Sequence, residues 1–267
     1  MLRGASAEAL AELSQQAART RTLDEAAALG NQLFGVVAVV RRDVALRRAL
    51  TDNSVEAEAR SGLARAVFGK ALDEPALALV AEAAGRRWIS ANDLPEALEQ
   101  VAVTATVRSA GANGEQVGDE LFSVKQLIEH NPALRGALAD HSRTPEDRSG
   151  LLLGLIEGKT LPATAVLVGQ AVARDRGAVE VTLQDYLDLA AAALEEAVAT
   201  VHTARELSAD EQERLAAALS KQYGKDIQLH IVVDPELIGG LRVEIGDDVI
   251  EGTVASRLDD ARRRIAG

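Results

Sequence analysis

Three consecutive residues at 158–160, Gly-Lys-Thr, come closest in this sequence to a chemical motif, because they match the end of a phosphate-binding loop. That loop needs another glycine five positions earlier, where this sequence has Leu153, and it follows a strand, whereas residues 151–157 have a helical pattern. A Gly-Lys pair at 69–70 ends a related helix, and glycine beside lysine is an ordinary helix terminus. The sequence therefore predicts that residues 158–160 end a helix and bind no nucleotide.

Other side chains able to do chemistry are scattered along the chain. The histidines are His130, His141, His202 and His230. They are too far apart for a local metal motif, and neither His-Glu-x-x-His nor Gly-x-Ser-x-Gly is present. Acidic pairs at 195–196, 210–211 and 259–260 lie on polar helix faces, where solvated charge is the default. A spatial histidine cluster or a Ser-His-Asp arrangement stays open, but nothing points to either, so we expect no catalytic residue, metal site or cofactor.

Composition narrows the class of protein. The 267 residues include 41 acidic and 29 basic ones, a net charge of −12, so the chain repels the phosphate backbone that nucleic-acid-binding proteins neutralise. Arginines at 262–264 form the only tight basic run, and a solvated helix C-terminus favours such a run. Ala, Leu and Val dominate the apolar residues, aromatic residues make up 2%, and cysteine is lacking. Helical bundles are favoured, disulfides are excluded, and nucleic acid and anionic lipid are poor partners.

The N-terminal region contains no pattern of a membrane segment. The longest apolar stretch near the start, at 33–40, is far shorter than a membrane span. The first 16 residues contain Arg3, Glu8 and Glu12 and no central apolar run, so they do not resemble a signal peptide. We expect no direct membrane insertion and a cytosolic setting, with any attachment to a membrane made through a partner.

An internal repeat organises the first 200 residues. At a spacing of 88 positions, Leu33 and Phe34 match Leu121 and Phe122, and the sequence Arg-Ser-Gly-Leu at 60–63 recurs at 148–151. Frequent Ala and Leu would explain scattered matches, but they would not explain Arg-Ser-Gly-Leu in register. We interpret the pattern as a duplication.

Both copies have the spacing of helices. The first copy predicts helices at 6–18, 22–41, 43–50, 55–68, 73–87 and 91–101, and the second at 117–130, 132–139, 145–157, 161–175 and 182–198. The second copy has no clear counterpart of the first helix. Residues 104–107 resemble the start of a strand, which the second copy continues at 198–203. Residues 109–114, rich in Gly and Asn, are the best linker candidate.

The last 70 residues have a different pattern. Residues 208–211, Ser-Ala-Asp-Glu, form a capping box for a helix that reaches about Tyr223 and ends at Gly224. Alternating apolar residues at 227–231 and 241–245 predict strands, 249–250 a short strand, and Thr253 the cap of a last helix. The fold class is therefore mainly α, a duplicated N-terminal helical bundle followed by a small α/β C-terminal domain. The predicted segments are 1–108, 115–200 and 201–267.

Turn residues in this last part carry a resemblance to a known family. They are Asp234, Pro235, Gly239, Gly240, Gly246, Asp247 and Gly252. Proline fixes φ, and glycine allows positive φ or close backbone approach, so these residues shape turns. The order and spacing of residues 227–258 closely resemble the C-terminal sequence of F-type ATP synthase delta subunits, the OSCP/delta family. The surplus length resembles the long actinobacterial form with a duplicated bundle.

The resemblance implies a non-catalytic stator. In that family, the helical bundle binds N-terminal helices of the alpha subunits, and the α/β domain binds the b subunits. The complex lies at the cytoplasmic face of the cell membrane, where delta is a peripheral, monomeric component that resists rotational torque during proton-driven ATP synthesis. The family's first and fifth helices form the groove for alpha, which here implies Leu10, Leu13, Leu77, Val80 and Ala84. Each could equally be a core residue, and for any single one of them a core position is the better interpretation. The first copy has the full helix count and is the favoured binder, and the chain is expected to be unfused to a b-type segment.

Two other classes of protein remain open. A helical adaptor or regulator unrelated to ATP synthase would also keep the duplication and the acidic charge, but it would not carry the C-terminal turn pattern. An enzyme would need polar groups that converge in a pocket.

Overall fold

The computed structural model describes residues 2–20, 22–140, 142–174, 177–195, 198–205, 207–223, 227–233, 237, 240–245 and 248–251. The chain forms two compact units, Met1–Ala191 and Ala192–Gly267. The matched segments of the internal repeat, 33–63 and 121–151, both lie in the first unit. The division into 1–108, 115–200 and 201–267 stays a prediction.

The first unit is helical throughout its described elements. Its first copy contains α1 (Gly4–Ala17), α2 (Leu23–Arg42), α3 (Val44–Thr51), α4 (Ala57–Phe68), α5 (Glu74–Gly85) and α6 (Asp93–Arg108). A 3-10 turn at Gly111–Asn113 leads to the second copy, which contains α7 (Gly114–Glu129), α8 (Pro132–Leu138), α9 (Pro145–Ile156), α10 (Pro162–Ala173) and α11 (Val179–Glu195). The last four residues of α11 belong to the second unit. The helices predicted from apolar spacing are confirmed, and the predicted linker at 109–114 is a tight turn.

The strand predicted at 104–107 is wrong, because α6 continues through it to Arg108. Val103, Ala105 and Thr106 are all buried. The Thr106 hydroxyl donates to the Ala102 carbonyl oxygen at 2.8 Å, a bond within the helix. A Cβ added to Gly30 of α2 would overlap Thr106 Oγ1, so the two helices cross at very short range. Burial on this crossing outweighs the strand preference of the β-branched residues.

Residues at matching positions cap helices and form the loops between them in both copies. Asp43 Oδ1 accepts from the Leu46 amide at 2.9 Å, and at the matching position Asn131 Oδ1 accepts from the Leu134 amide at 3.1 Å. In the loop that follows, Asp52 accepts from the Ser54 amide and hydroxyl at 2.9 and 2.6 Å. Asp140 accepts from the Ser142 amide and hydroxyl at 3.0 and 2.6 Å. These side chains satisfy backbone donors at helix starts and turns, and their recurrence confirms the duplication.

The α2 helix is long and apolar enough to cross a membrane, with a mean hydropathy of 1.3 over its most apolar window. It also packs closely along α6, and its inward side, which includes Leu29, Leu33 and Val37, is buried within the unit. Core helices of folded proteins meet the same criterion of length and composition, so this helix is weak evidence for a membrane span.

The second unit combines strands with a helix. Its described elements are β1 (Val198–Thr203), α12 (Ala209–Tyr223), β2 (Gln228–Val233), β3 (Leu241–Ile245) and β4 (Asp248–Glu251). The sheet order is β2-β1-β3-β4, with β1 parallel to β2 and the other pairs antiparallel. The parallel pair is joined through α12, as a β-α-β connection requires. The predicted strands at 198–203, 227–231, 241–245 and 249–250 are therefore confirmed.

A small apolar core holds this unit together. Val201 of β1 lies opposite Ile231 of β2 and Val243 of β3. Val201 and Val243 are buried with Leu219 of α12 and with Ile227. The predicted capping box is confirmed, because the Ser208 amide donates to Glu211 Oε2 at 2.9 Å and the Glu211 amide donates to Ser208 Oγ at 3.3 Å.

Several sequence predictions fall on residues outside the described ranges. Of the turn residues that carry the family resemblance, Gly240 is described, with a positive φ of 85°, as a left-handed turn requires. The others, together with Gly224, the last helix from Thr253 and the arginines at 262–264, lie outside the described residues. They are Asp234, Pro235, Gly239, Gly246, Asp247 and Gly252.

Candidate partner-binding site

The first candidate surface is formed where α1 packs on α5 and on the start of α6. The Ser6 hydroxyl donates to Asp93 Oδ2 at 2.6 Å and accepts from the Ile89 amide at 2.9 Å. Glu12 of α1 pairs with Arg86 at 2.5 Å, and Arg86 also pairs with Glu82 of α5 at 2.5 Å. The hydrogen bond to Glu82 is the main reason that the pKa of Arg86 is raised. These contacts fix α1 against α5.

The structure places the five predicted groove residues on these two adjoining helices, but it buries most of them. Leu13 of α1 and Leu77, Val80 and Ala84 of α5 are core residues. Leu10 is half-buried and reaches the surface. The two helices are therefore in contact, as the family resemblance implied, whereas the binding of a partner helix by these residues stays a prediction.

One exposed apolar residue beside this surface was missed by the sequence reasoning. Ile89 follows α5 and is exposed, and a Cβ added to Gly4 at the start of α1 would lie 3.4 Å from its Cδ1. Periodicity could not identify it, because Ile89 lies in the loop between α5 and α6.

A second candidate surface is an open groove of about 550 Å³ between α9 and α10 of the second copy. Small residues make it possible: Ser149 Oγ would lie 3.4 Å from a Cβ at Gly169, so the two helices approach closely. Among the described residues that line the groove, Glu146 is charged and the others are small, apolar or uncharged polar residues, so shape is its main property. The groove is lined by Asn31, Pro145, Glu146, Ser149, Gly150, Leu153, Ala165, Val166, Gly169, Gln170 and Ala173. The sequence signal that could have indicated this groove was the recurring Arg-Ser-Gly-Leu, because Ser149 and Gly150 of its second occurrence line the groove.

Gly158, Lys159 and His130 occupy structural positions, whereas His141 lies outside the described residues. Gly158 has a positive φ of 68° just after α9, and Lys159 donates from its amide to the Ile156 carbonyl at 3.0 Å and from Nζ to the Leu155 carbonyl at 3.0 Å. The predicted helix terminus at 158–160 is thus confirmed. His130 bonds the Gln126 carbonyl at the exposed end of α7. Among the described residues, no group of three or more His, Cys, Asp or Glu side chains could hold a metal ion.

Comparison with known proteins places the chain in a family. The family profile described as ATP synthase delta (OSCP) subunit matches residues 99–265. A protein from a Nocardioides species named ATP synthase subunit delta is 50% identical over 268 residues, covering 100% of this chain and 98% of the relative. The protein of the same name from Kineococcus radiotolerans is 40% identical and covers 91% of this chain and 89% of the relative.

A solved structure is similar over part of the chain. A chain of the Toxoplasma gondii mitochondrial ATP synthase hexamer is 21% identical, covers 62% of this chain and 95% of that chain, and has a TM-score of 0.30. A score this low supports no argument about the fold. The full-length similarity to delta subunits does not support an adaptor unrelated to ATP synthase. It shows that this chain belongs to the ATP synthase delta (OSCP) subunit family.

Proposed function

We propose that this chain is a non-catalytic subunit of the peripheral stalk, or stator, of the F1Fo ATP synthase. It links the catalytic F1 head to the membrane Fo sector and resists rotational torque during proton-driven ATP synthesis. The observation that carries the proposal is the similarity to delta subunits along the whole chain, 50% identical to one of them. The two compact units support it, because a stator needs folded units to transmit force.

The proposed partners are the N-terminal helices of the alpha subunits and the b subunit. Alpha binds the surface of α1 and α5, where Leu10 makes direct contact and the buried Leu13, Leu77, Val80 and Ala84 keep the two helices in place. The second unit, with its four-stranded sheet and α12, binds b. Amphipathic helices that dock on such surfaces place apolar residues at intervals of three and four positions. The subunit is a monomer in the complex and lies peripherally at the cytoplasmic face of the cell membrane.

Reconstitution tests the function directly. Membranes depleted of delta are combined with purified F1 and this protein, and ATP synthesis driven by a proton gradient is measured. We expect the protein to restore synthesis and to show no ATP hydrolysis by itself. If the folded protein leaves the head and the membrane sector uncoupled, the proposed function is wrong.

A matched pair of variants tests the alpha surface. Leu10→Glu places a charge on the exposed part of α1 and is expected to weaken binding of an alpha N-terminal peptide. Leu155→Glu places the same charge on an exposed leucine of α9, in the second copy, and is expected to leave the affinity unchanged. Equal affinities for both variants, measured by calorimetry, would remove the proposed alpha surface from α1 and α5.

A further inference from the structure

The α6 helix carries a buried carboxylate that none of the proposed partner surfaces uses. Glu99 is 4% exposed. Its Oε1 accepts from Arg41 Nη1 at 3.0 Å and from the Tyr186 hydroxyl at 2.8 Å. Its Oε2 accepts from Arg41 Nη2 at 2.5 Å, and Arg174 Nη1 lies 3.7 Å away. We call these four residues the Glu99 cluster.

The Glu99 cluster joins the two copies of the repeat. Arg41 lies in the last turn of α2 and Glu99 lies on α6, both in the first copy. Arg174 follows α10 and Tyr186 lies on α11, both in the second copy. Burying a carboxylate is costly unless cations and hydrogen-bond donors surround it. The second copy supplies the Tyr186 hydroxyl and the second guanidinium, so Glu99 is fully partnered only when the copies keep this orientation.

Charge interactions within the cluster agree with its geometry. Burial, together with the negative charge and the hydrogen bond of Glu99, raises the pKa of the Tyr186 hydroxyl well above its usual value. Burial acts to lower the pKa of Arg41, but the hydrogen bond and charge of Glu99 outweigh it and raise that pKa. Both shifts keep the tyrosine neutral as a donor and the arginine charged.

The repeat explains why the cluster lies on α6. Arg174 occupies the position that matches Arg86 at the spacing of 88. In the first copy Arg86 pairs with Glu12 of α1, and α1 packs on α5. In the part of the chain that the structure describes, the second copy has no counterpart of α1; instead α10 packs on α6, and Arg174 reaches Glu99. In the second copy, α6 therefore packs on α10 as α1 packs on α5 in the first copy. Glu99 pairs with Arg174 as Glu12 pairs with Arg86.

We propose that α6 is a shared helix, which completes the second bundle in place of its missing first helix, and that the Glu99 cluster locks the two copies at one fixed angle. The copies then move as a single rigid body instead of turning about the linker at Gly111–Asn113. The consequence for the stalk rests on the proposed function: a locked pair transmits torque without a hinge between the head and the rest of the stator.

Distance measurements on the isolated full-length protein test the lock. The chain lacks cysteine, so Arg48→Cys on α3 and Gly154→Cys on α9 give two unique sites for spin labels, one in each copy. Arg48 is exposed and a side chain at Gly154 meets open space. We expect one narrow distribution of distances by double electron–electron resonance. Tyr186→Phe and Glu99→Gln should broaden it or shift it, while far-UV circular dichroism keeps its helical signal.

Two further variants keep this test decisive. Arg174→Gln changes a partly exposed member of the cluster, so it tests the lock if a core variant fails to fold. Glu120→Gln changes a hydrogen bond to Thr164 that lies inside the second copy alone, and should leave the distance distribution unchanged. A narrow, unshifted distribution in folded Tyr186→Phe and Arg174→Gln would overturn the lock.

Reconstitution separates this proposal from the proposed function. If the protein restores coupled ATP synthesis and the folded cluster variants restore less of it while binding equally well, the lock serves the stator. If the unchanged protein restores no ATP synthesis, the proposed stator function is wrong. The distance measurements still decide whether the Glu99 cluster locks the two copies.

Discussion

The two helical copies repeat their local chemistry but not their packing. Helix starts and turns recur at the spacing of 88, as the pairs Asp43 and Asn131, and Asp52 and Asp140, show. In contrast, Phe34 is 3% exposed whereas its counterpart Phe122 is 52% exposed. The comparison shows that a duplicated sequence can keep the contacts made within a few residues while the surfaces that meet distant helices diverge.

The two copies also differ in how their helices are packed. The first has its own α1 and a close crossing of α2 on α6, so its helices are buried on several sides. The second copy packs on α6 of the first copy, and a groove lies open between its α9 and α10. Variants at matched positions can therefore test whether packing, and not residue type, decides the effect of a substitution.

Truncating the matched phenylalanines should give the largest contrast. Phe34→Ala removes a buried aromatic side chain and is expected to lower the free energy of unfolding by about 3–5 kcal/mol. Phe122→Ala removes a half-exposed side chain and should cost about 1 kcal/mol or less. Urea unfolding followed by circular dichroism measures both. Similar losses for the two variants would mean that the copies do not differ in packing at this position.

A buried arginine should rank second. Arg60 donates from Nη1 to the Arg86 carbonyl at 2.7 Å, from Nη2 to the Gly85 carbonyl at 3.0 Å and from Nε to the Val55 carbonyl at 3.2 Å. Arg60→Met leaves these carbonyls without their donor, and we expect a loss of about 2–4 kcal/mol in the free energy of unfolding.

The control for Arg60 lies on the same helix. Arg65 makes an exposed ion pair with Glu74 at 3.5 Å, so Arg65→Met should change the free energy of unfolding by less than about 1 kcal/mol. Arg148→Met, at the matching buried position of the second copy, should behave like Arg60→Met. An effect of Arg148→Met as small as that of Arg65→Met would show that the recurring Arg-Ser-Gly-Leu sequence has lost its structural role there.

Matched glycines should respond with opposite signs. A Cβ at Gly30 would overlap Thr106 Oγ1 and lie 3.1 Å from the Ala102 carbonyl oxygen, so Gly30→Ala should cost about 1–3 kcal/mol. Its counterpart Gly118, inside α7, has open space around a Cβ. Gly118→Ala should stabilise the protein by about 0.5–1 kcal/mol, because alanine loses less backbone entropy in a helix. Thermal unfolding measures whether each variant lowers or raises the melting temperature. Two shifts in the same direction would contradict the predicted difference in packing at the two glycines.

The sequence was sufficient for the parts of the fold that local chemistry decides. Apolar spacing and capping residues gave the helices, the capping box at Ser208 and Glu211, and the strands of the second unit. The exception at 104–107 has a strand-forming composition, but the structure buries it as part of α6, where it crosses α2 at Gly30, far away in the sequence. Local propensity is a weak guide where a distant helix buries the segment.

The candidate sites depend on distant contacts and were less predictable. Leu13, Leu77, Val80 and Ala84 have the same spacing whether they face a partner or the core, so the sequence could not reveal that they are buried. Glu99 gave no signal either, because Arg41 and Tyr186 lie 58 and 87 positions away from it. A charged residue on a helix is usually solvated, and only the packing of both copies shows that this one is enclosed.

A smaller effect distinguishes the side chains that hold the start of α5 and of α10. Gln32 Oε1 accepts from the Asp73 amide at 2.8 Å, and at the matching position Glu120 Oε2 accepts from the Leu161 amide at 2.8 Å and from the Thr164 hydroxyl at 2.6 Å. Partial burial acts to raise the pKa of Glu120, but the hydrogen bonds from Thr164, Leu161 and Gln116 outweigh it and hold the pKa below its ordinary value of 4.5.

The second copy should therefore contain an acid-sensitive contact that the first copy lacks. Because the folded-state pKa of Glu120 is lowered, its contribution to stability is complete above pH 4.5 and is lost as the pH falls through the folded-state value. Glu120→Gln, which gives the second copy the amide found at Gln32, should make the free energy of unfolding fall less steeply with acid below pH 4.5. Gln32→Glu is not the reverse change, because Gln32 Nε2 donates to Asp73 Oδ2 at 2.7 Å and a carboxylate there would repel Asp73, so this variant should lower the free energy of unfolding at neutral pH. An unchanged pH profile for Glu120→Gln would mean that the ionised carboxylate, despite its three donors, adds nothing over an amide at this helix start.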